Sequence, residues 1–260
     1  MQTLKQKKEN TYTNPCWSLL MFIMSFYFLC TNVFAEQIST GNKVLIVISS
    51  DSHGYWLPEV LEPFQLLQEA GFDVDIASPK GGEGTTRGSF QLSNKQTTWF
   101  DDSTLKGKLA SSMKLSAVDS GEYAAVYFAG GAGPMFDLAD DGAAQKVTRE
   151  IYEAGGIVSA DCHGPVALVN VKLSNGQRLI LGKKVTGKAN VEEGRWARNN
   201  YPFLLQDKLA EVGGKYSANE KGQVHVVVDQ RIITGQNPAS AVPMTEELIK
   251  QLTLLAGLAK

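Results

Sequence analysis

Cysteine and histidine are scarce in this chain, three of each among 260 residues. They do not fall at the short paired spacings of a structural metal site, so a zinc-type centre is not expected. Two of the cysteines, Cys16 and Cys30, lie close to the N-terminus, which leaves too few to build a disulfide framework. A surplus of positive charge is missing too. Lys and Arg total 25 against 27 Asp and Glu, a formal net charge of −2, and this gives no electrostatic footprint for a nucleic-acid partner. Internal repeats and low-complexity linkers are absent, as is any apolar run of the roughly 20 residues needed to span a bilayer. What is left is one α/β-type globular domain behind a leader.

The leader occupies residues 1–35. Lys5, Lys7 and Lys8 precede a largely apolar stretch from Trp17 to Leu29, and Val33-Phe34-Ala35 supplies short residues for a cleavage site. This is the pattern of a secretory signal peptide cut after Ala35, and it places the mature chain, residues 36–260, in a secreted or periplasmic location with no stable membrane association. An uncleaved anchor would need a longer apolar core. Cleavage removes three lysines, one glutamate and two cysteines, leaving 22 basic and 26 acidic residues, a net charge of −4. Cys162 is then the lone cysteine, and a free thiol in an oxidising compartment is a liability unless it has work to do.

Strand and helix signals alternate through the remainder. Lys43 to Ile48 is a near-continuous apolar run, as expected of a strand buried on both faces of a parallel sheet. Pro58 to Ala70 carries Val60, Leu61, Phe64 and Leu67 on one helical face and stops at Gly71. Strands are expected at Phe72–Ala77, Ala124–Ala129 and Lys184–Thr186, and a hairpin at Val224–Val228 and Arg231–Thr234. Helices are expected at Gly142–Ala154, Pro202–Val212 and Val242–Leu258. Residues 79–119 read as a long polar excursion with some local helix. Such βα alternation implies a sandwich around a mostly parallel sheet, whose ligands gather beyond the carboxyl ends of the strands. Four segments therefore converge: Ser49–Gly54, Gly130–Gly133, Ala160–Gly164 and the stretch after Thr186.

The third of these carries the chemistry. Ala160-Asp161-Cys162-His163-Gly164 follows the apolar run Ile157-Val158-Ser159 and precedes Pro165, a residue suited to the first turn of a helix. Strand, tight turn bearing a nucleophile, then helix is the nucleophile-elbow arrangement, with cysteine in the place of serine. The helix N-terminus is expected to lower the thiol pKa. A buried structural cysteine beside an unrelated histidine is the competing reading of the same five residues.

Three motifs together extend that reading: Ala160-Asp-Cys-His-Gly-Pro, Ile232-Ile-Thr-Gly-Gln-Asn-Pro-Ala-Ser-Ala, and Gly54 with Glu59 and Pro63-Phe64. In this order the sequence resembles the ThiJ/PfpI superfamily, class I glutamine-amidotransferase-like, and within it the branch of glutathione-independent glyoxalases and heat-shock chaperones. The resemblance implies a flavodoxin-like three-layer sandwich, no cofactor, and a homodimer. It implies Cys162 as nucleophile, His163 as base, Glu59 as a carboxyl group approaching the sulfur, and an oxyanion site of backbone N–H groups around Gly131-Ala132 and Cys162-His163. A triad acid follows Thr186-Gly187, with Glu193 favoured by spacing and Glu192 as the alternative. The implied activity is that of a glyoxalase III-like lyase of the D-lactate dehydratase type, converting the 2-oxoaldehyde methylglyoxal to lactate through a Cys-His-Glu triad.

Ala132 replaces the usual histidine of the glycine loop, Lys188 replaces an aromatic after the Thr-Gly pair, and Gln206 replaces a carboxylate. These departures fall on the walls of the expected pocket and leave the substrate open. Two other functions compete: a stress holdase acting through exposed apolar surface, and a cysteine hydrolase of peptidase or deglycase type. His225 alternates with valines and reads as structural. His53, on the first loop, is only a weak substrate-contact candidate.

Overall fold

The computed structural model describes residues 42–102 and 104–258. The expected signal peptide lies outside them. Seven strands form the central sheet: β1 (Lys43–Val47), β2 (Asp73–Ser78), β3 (Met113–Lys114), β4 (Tyr123–Phe128), β5 (Ile157–Asp161), β6 (Val226–Asp229) and β7 (Ile232–Gly235). Their order is β6-β7-β5-β4-β1-β2-β3, parallel throughout except for the edge hairpin β6–β7. The hairpin turns through Gln230, which takes the left-handed conformation at φ 56°.

Alternation along each strand sorts side chains to two faces. Val44, Ile46, Tyr127 and Ile157 face the helices α1 (Pro58–Glu69) and, at the C-terminus, Ala241–Leu258, which meet with Phe64, Leu67, Met244 and Leu248. Leu45, Val126, Phe128 and Val158 face the opposite layer, where the helix Gly142–Glu153 contributes Ala144, Val147 and Ile151. The architecture is thus the expected α/β three-layer sandwich.

Local differences from the sequence reading have physical causes. The expected helix from Pro202 begins at Leu205, and a separate short helix, Arg195–Asn200, precedes it. Two small parallel pairs, Tyr55–Trp56 with Thr86–Arg87 and Lys184–Val185 with Lys215–Tyr216, decorate the sheet. Two-residue strands carry no periodicity, so the first pair and Lys215–Tyr216 left no pattern to read. The segment after Cys162 is a five-residue 3₁₀ turn, Gly164–Leu168, rather than an α-helix.

Candidate active site

β5 ends at Asp161, and the next residue turns sharply. Cys162 has φ 52°, a left-handed conformation that is uncommon for a residue with a side chain. The turn closes only because Gly164 follows: a Cβ there would stand 2.9 Å from the Phe128 carbonyl carbon. Gly130, at the end of β4, gives the same close approach from the side, since a Cβ would lie 2.6 Å from Cys162 Cβ and collide with Glu59 Oε2.

Around this elbow the candidate groups assemble. Cys162 Sγ lies 3.6 Å from His163 Nδ1, and His163 Nε2 lies 2.9 Å from Glu193 Oε1, with both His163 and Glu193 buried. Glu192 points elsewhere. Its Oε1 accepts from the Gly222 N–H at 2.7 Å and from Asn237 Nδ2 at 2.9 Å, and those donors outweigh burial and hold its pKa below the ordinary value. Of the two acids left open by spacing, Glu193 is therefore the one on the imidazole. Gln206 supports this loop by accepting from the Asn190 N–H at 2.8 Å.

Glu59 comes from the first turn of α1 and is fully buried. Neither of its carboxyl oxygens has a conventional hydrogen-bond partner among the described residues, and the Cys162 thiol is the polar group that interacts with it. Burial pushes its pKa up to about 8, so it carries a proton at neutral pH. Asp161 repeats the situation one residue before the nucleophile. Burial and the nearby Glu59 carboxyl push it well above the usual carboxylate range.

The thiol does not match the expectation of a lowered pKa. A five-residue 3₁₀ turn offers little dipole, and burial, reinforced by the Glu59 charge whenever that group ionises, pushes Cys162 up. Lys188 works in the other direction. Its backbone N–H donates to the Cys162 carbonyl at 2.7 Å, and its ammonium pulls the thiol pKa down. Burial opposes the Lys188 charge, but Cys162, Glu192, Glu59 and Glu193 outweigh it and hold the lysine above its ordinary value.

A cavity of about 510 Å³ opens over the elbow, lined by Cys162, His163, Gly131, Ala132 and Lys188, and by His53 and Trp56 further out. Among the described residues the N–H groups of Gly131 and Ala132 donate to no protein acceptor. The Cys162 N–H is different. It donates to the Gly235 carbonyl at 3.0 Å, so it cannot join an oxyanion site. His53 lines the cavity with Nδ1 2.6 Å from Asp51 Oδ1, whereas His225 bonds Ser217 Oγ at 3.0 Å and takes no part in the lining.

Sequence reasoning assigned no role to Trp56, Arg87, Phe90, Trp196 and Tyr201. The first four line the cavity, and Tyr201 packs edge-on against His163 with ring centroids 5.2 Å apart. Trp196 alone had a usable signal, three residues beyond Glu193. Asp161 stood inside the quoted motif without a role.

The chain has relatives. A glyoxalase 3 from Candida albicans is 31% identical over 228 residues, spanning 80% of this chain and 97% of that protein. The glutathione-independent glyoxalase HSP31 of Saccharomyces cerevisiae is 32% identical over 202 residues, spanning 72% and 84%. Among solved structures, Rapid Encystment Protein 24 KDa of Francisella tularensis superposes with a TM-score of 0.77 at 35% identity, covering 81% of this chain and 98% of that one. Residues 42–251 match the profile of the DJ-1/PfpI family, whose flavodoxin-like sandwich is the fold described above, and the chain belongs to that family.

Proposed function

We propose that this chain is a cysteine-dependent, glutathione-independent glyoxalase acting on a 2-oxoaldehyde, outside the cytoplasm once residues 1–35 are removed. The observation that carries the reading is a thiol and an imidazole that both line one cavity, the imidazole held by a carboxylate and the thiol set beside a buried carboxyl group that keeps its proton. Similarity to the glyoxalases of Candida and Saccharomyces supports it.

The chemistry follows from the geometry. His163 Nδ1 takes the thiol proton as Cys162 Sγ adds to the aldehyde carbon, the Gly131 and Ala132 N–H groups receive the oxyanion, and His163 hands that proton on to the oxygen, giving a neutral hemithioacetal and a free imidazole. Glu193 Oε1, 2.9 Å from Nε2, fixes the orientation of the imidazole. His163 removes the proton from the sulfur-bearing carbon, and the ketone oxygen gains one, making an enediol. Protonation at the second carbon, with loss of the hydroxyl proton on the sulfur-bearing carbon, leaves a 2-hydroxy thioester. Protonated Glu59 stands beside the sulfur as a proton donor through these steps. Water then hydrolyses the thioester, releasing a 2-hydroxy acid and restoring the thiol. Two hydrogens and one oxygen enter as water, and no redox partner is required.

The test is lactate formation from methylglyoxal by the chain beginning at Glu36, without added glutathione. Wild type should turn over, and Cys162→Ala should fall below detection while keeping its circular dichroism and Tm. A Cys162→Ala variant with wild-type turnover would sink the enzyme reading. The holdase alternative predicts the reverse, protection of unfolded clients unaffected by Cys162→Ala. Phe90, the most exposed large apolar side chain among the described residues, lines the cavity, as does the half-exposed Trp196.

A further inference from the structure

The cavity is larger and more aromatic than a three-carbon aldehyde requires. Its volume of about 510 Å³ falls within the range of roughly 300–1,000 Å³ found for drug-sized ligands. A path of rings leads outward from the proposed base: His163 meets Tyr201 at 5.2 Å, Tyr201 meets Trp196 at 5.7 Å, and Trp196 meets His53 at 5.3 Å. His53 is itself stacked on Phe136, with centroids 4.2 Å apart and planes 21° apart, so this wall is braced from behind. Trp56 and Phe90 add two further rings to the lining. The Gly88 backbone packs closely on Trp56: a Cβ there would stand 2.9 Å from the indole.

Two of these rings lie in water. Phe90 is 83% exposed and Trp196 49% exposed. Core packing does not account for Phe90, and Trp196, edge-on to Tyr201 at 5.7 Å and to Phe136 at 6.5 Å, still leaves about half of its surface open. The cations at the cavity are already engaged: Arg87 donates to the carbonyls of Ser52 and His53, and Lys188 pairs with Glu192 at 3.6 Å. A charged substituent would have to compete for them, whereas a flat apolar one finds the exposed ring of Phe90 and the open half of Trp196.

We propose that the substrate is a 2-oxoaldehyde whose second carbon carries an aryl or similarly flat apolar group, held between Trp196 and Phe90 while the aldehyde reaches Cys162. The proposal rests on the glyoxalase reading of the same site. The reaction is unchanged in its balance: an arylglyoxal plus water gives the 2-hydroxy-2-aryl acid, with sulfur added and released as before.

Phenylglyoxal is the probe, with mandelate measured directly as the product and methylglyoxal turnover measured in parallel. The kcat/KM for phenylglyoxal should exceed that for methylglyoxal by about tenfold or more, the scale of two good ring contacts. Trp196→Ala and, separately, Phe90→Ala should each lower the phenylglyoxal-to-methylglyoxal ratio several-fold, and Trp196→Phe should restore most of it. If methylglyoxal is turned over but the ratio is at or below one, the substrate proposal fails and the glyoxalase reading survives. A ratio that ignores both alanine variants also overturns the proposal, since the preference would then arise from the aldehyde's own reactivity. Turnover of neither compound overturns both.

Discussion

Glu59 is the residue on which the site's charge state turns. An ordinary glutamate titrates near 4.5, and this one, in the folded chain, near 8 because its burial penalises the ionised form. Between those values the folded chain keeps a proton that the unfolded chain has released, so stability falls as pH rises from about 4.5 to about 8, and this contribution is constant above that. Glu59→Gln keeps the shape and a donor while removing the titration. Its Tm should exceed that of wild type increasingly from pH 5 to about pH 8 and by a constant margin above that, worth upward of about 1 kcal/mol. Parallel Tm curves for the two proteins would show that Glu59 is not held protonated by the fold. The Lys188 ammonium acts on the thiol in the opposite sense. Removing it as Lys188→Met should slow alkylation of Cys162 by iodoacetamide at pH 7 several-fold, and an unchanged rate would mean that the lysine does not act on the sulfur.

At the scale of elements, the site is a strand end, a loop and a helix start drawn within van der Waals distance of one another. Gly130 is where all three meet, with Glu59 of α1 on one side and Cys162 on the other. Gly130→Ala should therefore displace the carboxyl or the thiol and lower turnover by about 100-fold or more, a larger effect than its loss of Tm would explain. Turnover within a few-fold of wild type would mean that the packing of Glu59 against Cys162 is not needed. The elements that could be read from sequence were those with a long physical signature. Lys43–Val47 and Tyr123–Phe128 are continuous apolar runs because both of their faces are covered, and α1 shows its stripe between a proline and a glycine. The elbow was legible because a strained turn demands small neighbours on both sides of the nucleophile. Of the cavity wall, His53, Ala132 and Lys188 were legible from the loops they sit on, whereas the rings of Trp56, Phe90 and Trp196 were not, because their positions share no spacing. The expected thiolate-stabilising helix failed for a different reason: Pro165 starts a helical turn as well as it starts a helix, and sequence does not say which will follow.

Over the whole molecule, the two faces of the sheet divide the labour. The helix pair α1 and Ala241–Leu258 is held together by Phe64, Leu67, Met244 and Leu248, all fully buried and none of them lining the cavity. The other layer presses the 3₁₀ turn after the elbow onto the sheet through Val166, Ala167 and Leu168. Stability and chemistry should therefore separate when the first layer is weakened away from Glu59. Leu248→Ala removes a fully buried side chain and should cost about 2–5 kcal/mol of stability, depending on how far the helices close over the gap. Below the lowered Tm its kcat should stay within about twofold of wild type, because α1 is still anchored at its N-terminal turn, where the Trp56 N–H donates to the Gly130 carbonyl and the Leu57 N–H to that of Arg87. Thermal melts and turnover measured on the same preparation decide the point. If kcat falls in step with stability while the protein is still folded, then the burial of Glu59 depends on the whole helix layer rather than on its first turn, and the site is coupled to the core along its full length.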